Sequence, residues 1–292
     1  MSAQTSNHRQ DTMKIIFAGK NKIGEICLKA LQKSFDCIYI VDSNNESITK
    51  LKRRNDVIVT KIDDGDATVV FLAGWFEIIG KEQLKSRKYI NIHGSLLPKY
   101  RGLHSLFWAI MNGEDHIGYT IHEINQEIDD GDIIYQYMVN YQGQTIMEIN
   151  SAFYSDIDSK LGELIINYID GNIILIKQDV EKASWVPKRN LNDCVIDFNM
   201  EYILLNRFFK ALTYPYPLPR IVYCDCIYEV VESRIKERNY YCQLGRVVNS
   251  NDEGVWITID KGFLIINKLR NILNGDEIQA NELICIGYRF IK

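Results

Sequence analysis

Short, wholly apolar runs alternate along the first part of the chain with segments whose apolar residues recur every three or four positions. Residues 14–18 form an apolar run that closes on Gly19, and 23–31 repeat at helical spacing behind it. Further strands are expected at 37–41, 57–60, 68–72 and 89–93, with a turn at 42–45. Helices are expected at 50–55, 81–87 and 106–111. Residues 118–124 and 133–139 alternate as extended strands do. The pattern over 146–169 is that of a long amphipathic helix, stopped by Gly171. Strands separated by helices imply an α/β fold with a doubly wound, mostly parallel sheet, because a parallel pair needs a crossover connection.

The pattern changes at 182–198, where Trp185, Pro187 and the cations Lys188 and Arg189 interrupt the alternation, and this segment reads as a bridge. A helix at 201–212 follows, stopped by the proline-rich run 214–219. Beyond it lie short alternating runs at 221–231, 245–249, 255–259 and 263–269, bounded by Gly and Asn. They predict a smaller, mostly-β C-terminal domain over 199–292, after a first domain at 13–198. Residues 1–12 are mostly polar, without an apolar centre, and read as a disordered tail.

Composition narrows the function classes. With 46% hydrophobic and 25% charged residues the chain is globular rather than fibrous or disordered. A formal charge of −4 argues against a nucleic acid as main partner, while leaving room for a small phosphorylated ligand in a local basic pocket. No apolar run reaches the ~20 residues of a membrane helix. The seven cysteines are an odd set, and Cys224 and Cys226 alone make poor zinc spacing, so free thiols and no metal are expected. These features predict a soluble, cytoplasmic protein.

Three segments hold candidate chemistry. The turn from Gly19 to Gly24 is neither a dinucleotide fingerprint nor a Walker loop, yet its backbone N–H groups, Lys20, Asn21 and Lys22 suit a phosphate as well as they suit an ordinary turn. At the end of a strand, Asn91 and His93 stand two apart and so share a face, in the run Asn-Ile-His-Gly-Ser-Leu-Leu-Pro-Lys-Tyr-Arg-Gly of 91–102. An amide beside an imidazole can stabilise an oxyanion and manage a proton. The third segment, Ile128-Asp-Asp-Gly-Asp-Ile133, is either a plain turn or a source of carboxylates.

Taken together, these motifs resemble the formyltransferases that use N10-formyltetrahydrofolate. The likeness rests on the run at 91–102, Gly-x-Thr-x-His at 118–122 and Asp-x-Gly-Asp-Ile at 129–133. It continues through Gln178, Pro187-Lys-Arg189 and Ile196-Asp-Phe198. It implies a Rossmann-like catalytic domain and a catalytic triad of Asn91, His93 and Asp129, with His122 nearby in a packing role. It also implies N10-formyltetrahydrofolate as cosubstrate, bound by Trp75, Phe76, Ile128 and Asp130. Trp75 and Phe76 serve equally well as core residues.

Within that family three acceptors compete. Glycinamide ribonucleotide formyltransferases end near the catalytic domain, so the residues after 198 count against them. Methionyl-tRNA formyltransferases grip tRNA with a C-terminal β domain, which should be basic. Here residues 199–292 hold 12 Lys and Arg against 11 Asp and Glu, and residues 13–198 hold 21 against 26. The sugar N-formyltransferases take a nucleotide-linked amino sugar. The expectation is therefore a dTDP-linked 4-amino- or 3-amino-dideoxyhexose, of the kind used in O-antigen and lipopolysaccharide biosynthesis, and a homodimer. Lys20, Asn21, Tyr100, Arg101, Trp185, Lys188 and Arg189 are the candidate nucleotide-sugar residues. A non-catalytic folate or nucleotide-sugar sensor is the alternative from another class, opposed by the intact triad.

Overall fold

The structure, a computed structural model, describes residues 13–42, 44–214 and 216–291. The tail expected at 1–12, Ser43 of the first turn and Pro215 of the proline-rich run lie outside them. The chain divides into two compact units. One is built on residues up to 109, 115–141 and 149–187. The other comprises 110–114, 142–148 and the residues from 188 onward.

The elements up to the second unit's main segment follow the alternation read from the sequence. They are β1 (Ile15–Gly19), α1 (Asn21–Gln32), β2 (Ile38–Val41), α2 (Glu46–Thr49), β3 (Val57–Val59), β4 (Val69–Ala73), α3 (Lys81–Ser86) and β5 (Lys88–His93). Then come β6 (Arg101–Gly102), α4 (Ser105–Asn112), β7 (His116–Glu123), β8 (Ile133–Asn140), α5 (Ile146–Ile169) and β9 (Trp185–Val186). Seven strands make one sheet in the order β3-β2-β1-β4-β5-β7-β8. The first five are parallel, while β7 runs antiparallel to both β5 and β8. This is the doubly wound, mostly parallel arrangement that the alternation predicts.

Register decides what the sheet presents. Ile16 pairs with Val70, Ala18 with Leu72, Val70 with Tyr89 and Leu72 with Asn91. Across the antiparallel pair, Asn91 stands opposite His122 and His93 opposite Thr120. Residues opposite one another project to the same face. The apolar cluster of Ile16, Ala18, Val70, Leu72 and Tyr89 therefore continues, on one face, into Asn91, His93, Thr120 and His122. Burial of each such large apolar side chain stabilises the sheet by roughly 1.5–3 kcal/mol, which makes the polar end of the row a rigid platform.

One helix lies elsewhere than expected. The helical turn is Glu46–Thr49, not 50–55. Asn45 caps it by accepting from the Ser47 N–H, and Arg53 leaves the helical path to bond Gln32 O, Phe35 O and Asp56. A six-residue helix is marginal by itself, so these tertiary bonds prevail.

The second unit carries α6 (Tyr202–Ala211), β10 (Arg220–Tyr223), β11 (Cys226–Glu237), β12 (Val247–Asn251), β13 (Gly254–Ile259), β14 (Gly262–Asn271), β15 (Glu277–Gln279) and α7 (Ala280–Leu283). Its antiparallel sheet has the order β10-β11-β14-β13-β12, with β15 on β14. The run expected at 221–231 as one strand is a hairpin, because Cys224 and Asp225 take φ values of 48° and 62°. Two left-handed residues in succession reverse the chain in two residues. All seven cysteines are free thiols. Among the described residues, no helix is long and apolar enough to cross a membrane, and no group of three or more His, Cys, Asp or Glu could hold a metal ion.

Candidate active site

The polar end of the sheet face is organised around Asp129. The chain leaving β7 folds back over that face and returns at 129–131, with Asp129 at φ +52°. Asp, like Asn, tolerates this left-handed conformation because its short side chain can bond locally. Gly131 is obligatory two residues on, since a Cβ there would run into the Glu123 carbonyl.

The Asp129 carboxylate touches three groups. Oδ2 accepts the Gly102 N–H at 2.9 Å and lies 3.4 Å from His93 Nδ1. Oδ1 lies 3.6 Å from His122 Nε2. Each imidazole is oriented by a carbonyl. His93 Nε2–H donates to Tyr100 O at 2.8 Å, and His122 Nδ1–H donates to Glu123 O at 2.7 Å. That fixes the tautomer of His122, leaving its Nε2 to accept from Asn91 Nδ2 at 3.4 Å. Burial depresses the His122 pKa to about 4, outweighing the attraction of Asp129, so His122 is neutral at neutral pH. The Asp129 charge is thus not cancelled by His122, and it faces the His93 ring.

The backbone around His93 is tied down by a buried hydroxyl. Thr120 Oγ1 donates to Ser95 O and accepts from Leu97 N and Gln136 Nε2, while Ser95 Oγ donates to Lys99 O. Tyr100 takes φ +60° and Gly102 φ +102°; a Cβ at Gly102 would strike the Val186 carbonyl of β9. Here β6 and β9 pair in parallel, Arg101 beside Trp185, with Ser184 O accepting Arg101 N–H and Ser184 Oγ accepting Tyr100 N–H. Thr120, Ser184 and the Tyr100 carbonyl were not singled out by the sequence reading. Thr120 was within reach, since it occupies the Thr position of the 118–122 motif, whereas Ser184 and the Tyr100 carbonyl leave no pattern.

The structure brings Asn91, His93 and Asp129 together, with His122 as a fourth member. An Asn amide carries two N–H groups, so Asn91 can donate to a ligand oxygen as well as to His122. A carboxylate beside an imidazole can accept a proton from an attacking amine. Of the expected folate residues, Phe76 and Ile128 are exposed, as is Ile78. Trp75 is partly buried and packs against the apolar cluster of the sheet. The exposed apolar side chains Phe76, Ile78 and Ile128 lie on the segment leaving β4 and on the Asp129 loop. Asp130 is turned instead toward Arg101, in an ion pair.

The expected nucleotide-sugar residues fall in both units. Lys20 lies 4.7 Å over the Trp75 ring and 3.5 Å from Glu77, and Asn21 opens α1 at φ +59°. Arg101 is buried and engaged with Asp130 and Gln178, while Trp185 is exposed. Lys188 and Arg189 belong to the second unit, where Arg189 donates to Cys194 Sγ.

Known proteins share this sequence and fold. The formyl transferase family matches residues 3–153, and the formyl transferase C-terminal domain matches residues 189–285. A methionyl-tRNA formyltransferase of Clostridioides difficile is 24% identical over 303 residues, covering 93% of this chain and 98% of its own length. An N-formyltransferase from Helicobacter canadensis, solved with folinic acid and dTDP-3-aminofucose, superposes with a TM-score of 0.65 at 20% identity, covering 87% of this chain and 98% of that one. HypX from Aquifex aeolicus, solved with tetrahydrofolic acid, gives 0.65 at 18% identity. It covers 93% of this chain, which spans only 46% of HypX.

Proposed function

This chain belongs to the formyltransferase family, and within that family we propose that it formylates the amine of a nucleotide-linked amino sugar. It is an enzyme of formyl transfer, and N10-formyltetrahydrofolate is its one-carbon donor. In the proposed reaction the amine attacks the formyl carbon and negative charge gathers on the formyl oxygen; collapse of this tetrahedral intermediate breaks the bond from the formyl carbon to N10, which takes up a proton and leaves as tetrahydrofolate. Asn91 stabilises the formyl oxygen, joined by His93 once its Nε2–H turns from Tyr100 O toward it, and Asp129 takes the proton lost by nitrogen, directly or through a water molecule. Phe76 and Ile128 flank the pterin. Lys20, Asn21, Tyr100 and Trp185, all of the first unit, are proposed to contact the nucleotide sugar.

One observation carries the choice of acceptor. The second unit is nearly neutral, and several of its cations are spent on its own carboxylates. Arg220 pairs with Glu229, Arg234 with Glu253, Lys268 with Glu232 and Arg270 with Glu277. A surface that tracks a tRNA backbone needs unspent cations, because each phosphate neutralised contributes counterion release. A sugar pyrophosphate needs only one or two. The Helicobacter canadensis neighbour binds such a nucleotide sugar, which supports the reading at the level of fold. The opposing reading, a methionyl-tRNA formyltransferase, draws on relatives such as the C. difficile protein, similar along nearly its whole length.

The deciding experiment incubates the protein with N10-formyltetrahydrofolate and a panel of dTDP- and UDP-linked 3- and 4-amino sugars beside initiator methionyl-tRNA. Turnover of an amino sugar and none of the tRNA is expected. Efficient formylation of the tRNA alone would overturn the proposal, and tight binding without turnover of any amine would make the protein a sensor.

A further inference from the structure

We propose that Arg101 and Gln178 are positioning residues that hold the 129–131 loop so that Asp129 faces His93. The kinetic part of this proposal rests on the reading of Asp129 as proton acceptor. Arg101 is 4% exposed, a depth at which an unpaired guanidinium is costly; its Nη2 is paired, while Nε–H finds no partner among the described residues. It pairs with Asp130, donates to Gln178 Oε1 at 2.7 Å, and lies 5.6 Å from the Trp185 ring centre. Gln178 then spends its amide on the backbone either side of Asp130, with Nε2 donating to Asp129 O at 2.9 Å and to Gly131 O at 2.8 Å. The loop is thus fixed by two main-chain carbonyls, the Asp130 side chain and the bond from Gly102 N–H to Asp129.

Asp129 needs such support because a left-handed, non-glycine residue costs roughly 1–2 kcal/mol and keeps that conformation only where its surroundings impose it. Neither Arg101 nor Gln178 has to touch a reacting atom. Their effect is geometric, and a displacement of about 1 Å in a proton acceptor can cost on the order of 10²-fold in rate. Gln178 is distant in sequence from the triad, and its single amide joins the buried guanidinium to the catalytic loop.

The test uses the full chain with Gln178→Met, which removes both the donors and the acceptor. Gln178→Glu is the second variant; it keeps a partner for Arg101 but removes the donors to the loop. Amide hydrogen exchange over 125–132 is expected to quicken at least tenfold in each variant that retains the parental melting temperature. With the acceptor that turns over in the panel above, kcat is expected to fall ~10–100-fold while both KM values stay within threefold. On an Asp129→Asn background the same substitutions should change kcat by less than threefold, because the group they position is already gone. Unchanged exchange, a loss confined to KM, or full additivity with Asp129→Asn would overturn the positioning role. If Asp129→Asn itself left kcat within threefold of the parent, the assignment of Asp129 would fail instead, and the exchange measurement alone would decide whether Gln178 holds the loop.

Discussion

Asn91 and His122 face each other across the antiparallel pair of β5 and β7, with Nδ2 of the one 3.4 Å from Nε2 of the other. Because His122 Nδ1–H is committed to the Glu123 carbonyl, its other nitrogen only accepts, and this sets which way the Asn91 amide is turned. A packing histidine therefore decides the orientation of an amide assigned to the oxyanion.

Replacing His93 by Asn keeps a polar side chain of modest size but cannot reproduce a ring that spans Tyr100 O and Asp129. Turnover is expected to fall about 10²–10⁴-fold with substrate affinities nearly unchanged. Steady-state kinetics check this, and activity within threefold of the parent would remove His93 from the triad.

Asp129→Asn is expected to fold normally, because Asn accepts the left-handed φ of +52° as well as Asp does. It still accepts the Gly102 N–H but loses the charge that takes up a proton. The loss should fall on kcat, by roughly 10²-fold or more. A change seen only in KM for the folate would make this a ligand-loop residue.

His122 links stability to pH. Its folded pKa, about 4, lies below that of a solvated imidazole, so the unfolded chain binds the proton more readily. The contribution of the neutral ring is complete above about pH 6.5 and drains away as pH falls from there toward 4. Between pH 7 and 4.5 the parent should lose about 2 kcal/mol more unfolding free energy than His122→Asn. Urea titrations at the two values measure it, and equal losses in both proteins would contradict the linkage.

Gly131→Ala places a methyl group against the Glu123 carbonyl, in backbone rather than in a yielding side chain. A destabilisation of roughly 1–3 kcal/mol, the usual range for overpacking, is expected together with a fall in kcat, since Asp129 lies two residues away. A Tm equal to the parent's would show that the loop gives way freely.

Trp185→Ala, at an exposed ring of the first unit, is expected to raise KM for the nucleotide sugar severalfold while leaving KM for the folate unaltered, and Lys→Ala changes after residue 199 should do little. Acceptor affinity should also depend weakly on salt, because one pyrophosphate releases few counterions. A steep salt dependence measured by titration calorimetry would speak for a polyanionic acceptor.

The strand–helix alternation, the mostly parallel sheet and the smaller β unit were legible because each depends on periodicity, which a sequence carries locally. Asn91 and His93 were legible for the same reason, as two positions on one strand share a face. The turn at Cys224–Asp225 and the helix at Glu46–Thr49 were not, because a left-handed pair without glycine and a capped single turn are decided by what packs around them. Only the tertiary structure opposed Asn91 to His122, brought Asp129 within 3.4 Å of His93 and spent Arg101 on Asp130 and Gln178. Those relations join residues 29 to 77 positions apart through strand register and a returning loop, and no local pattern encodes a register.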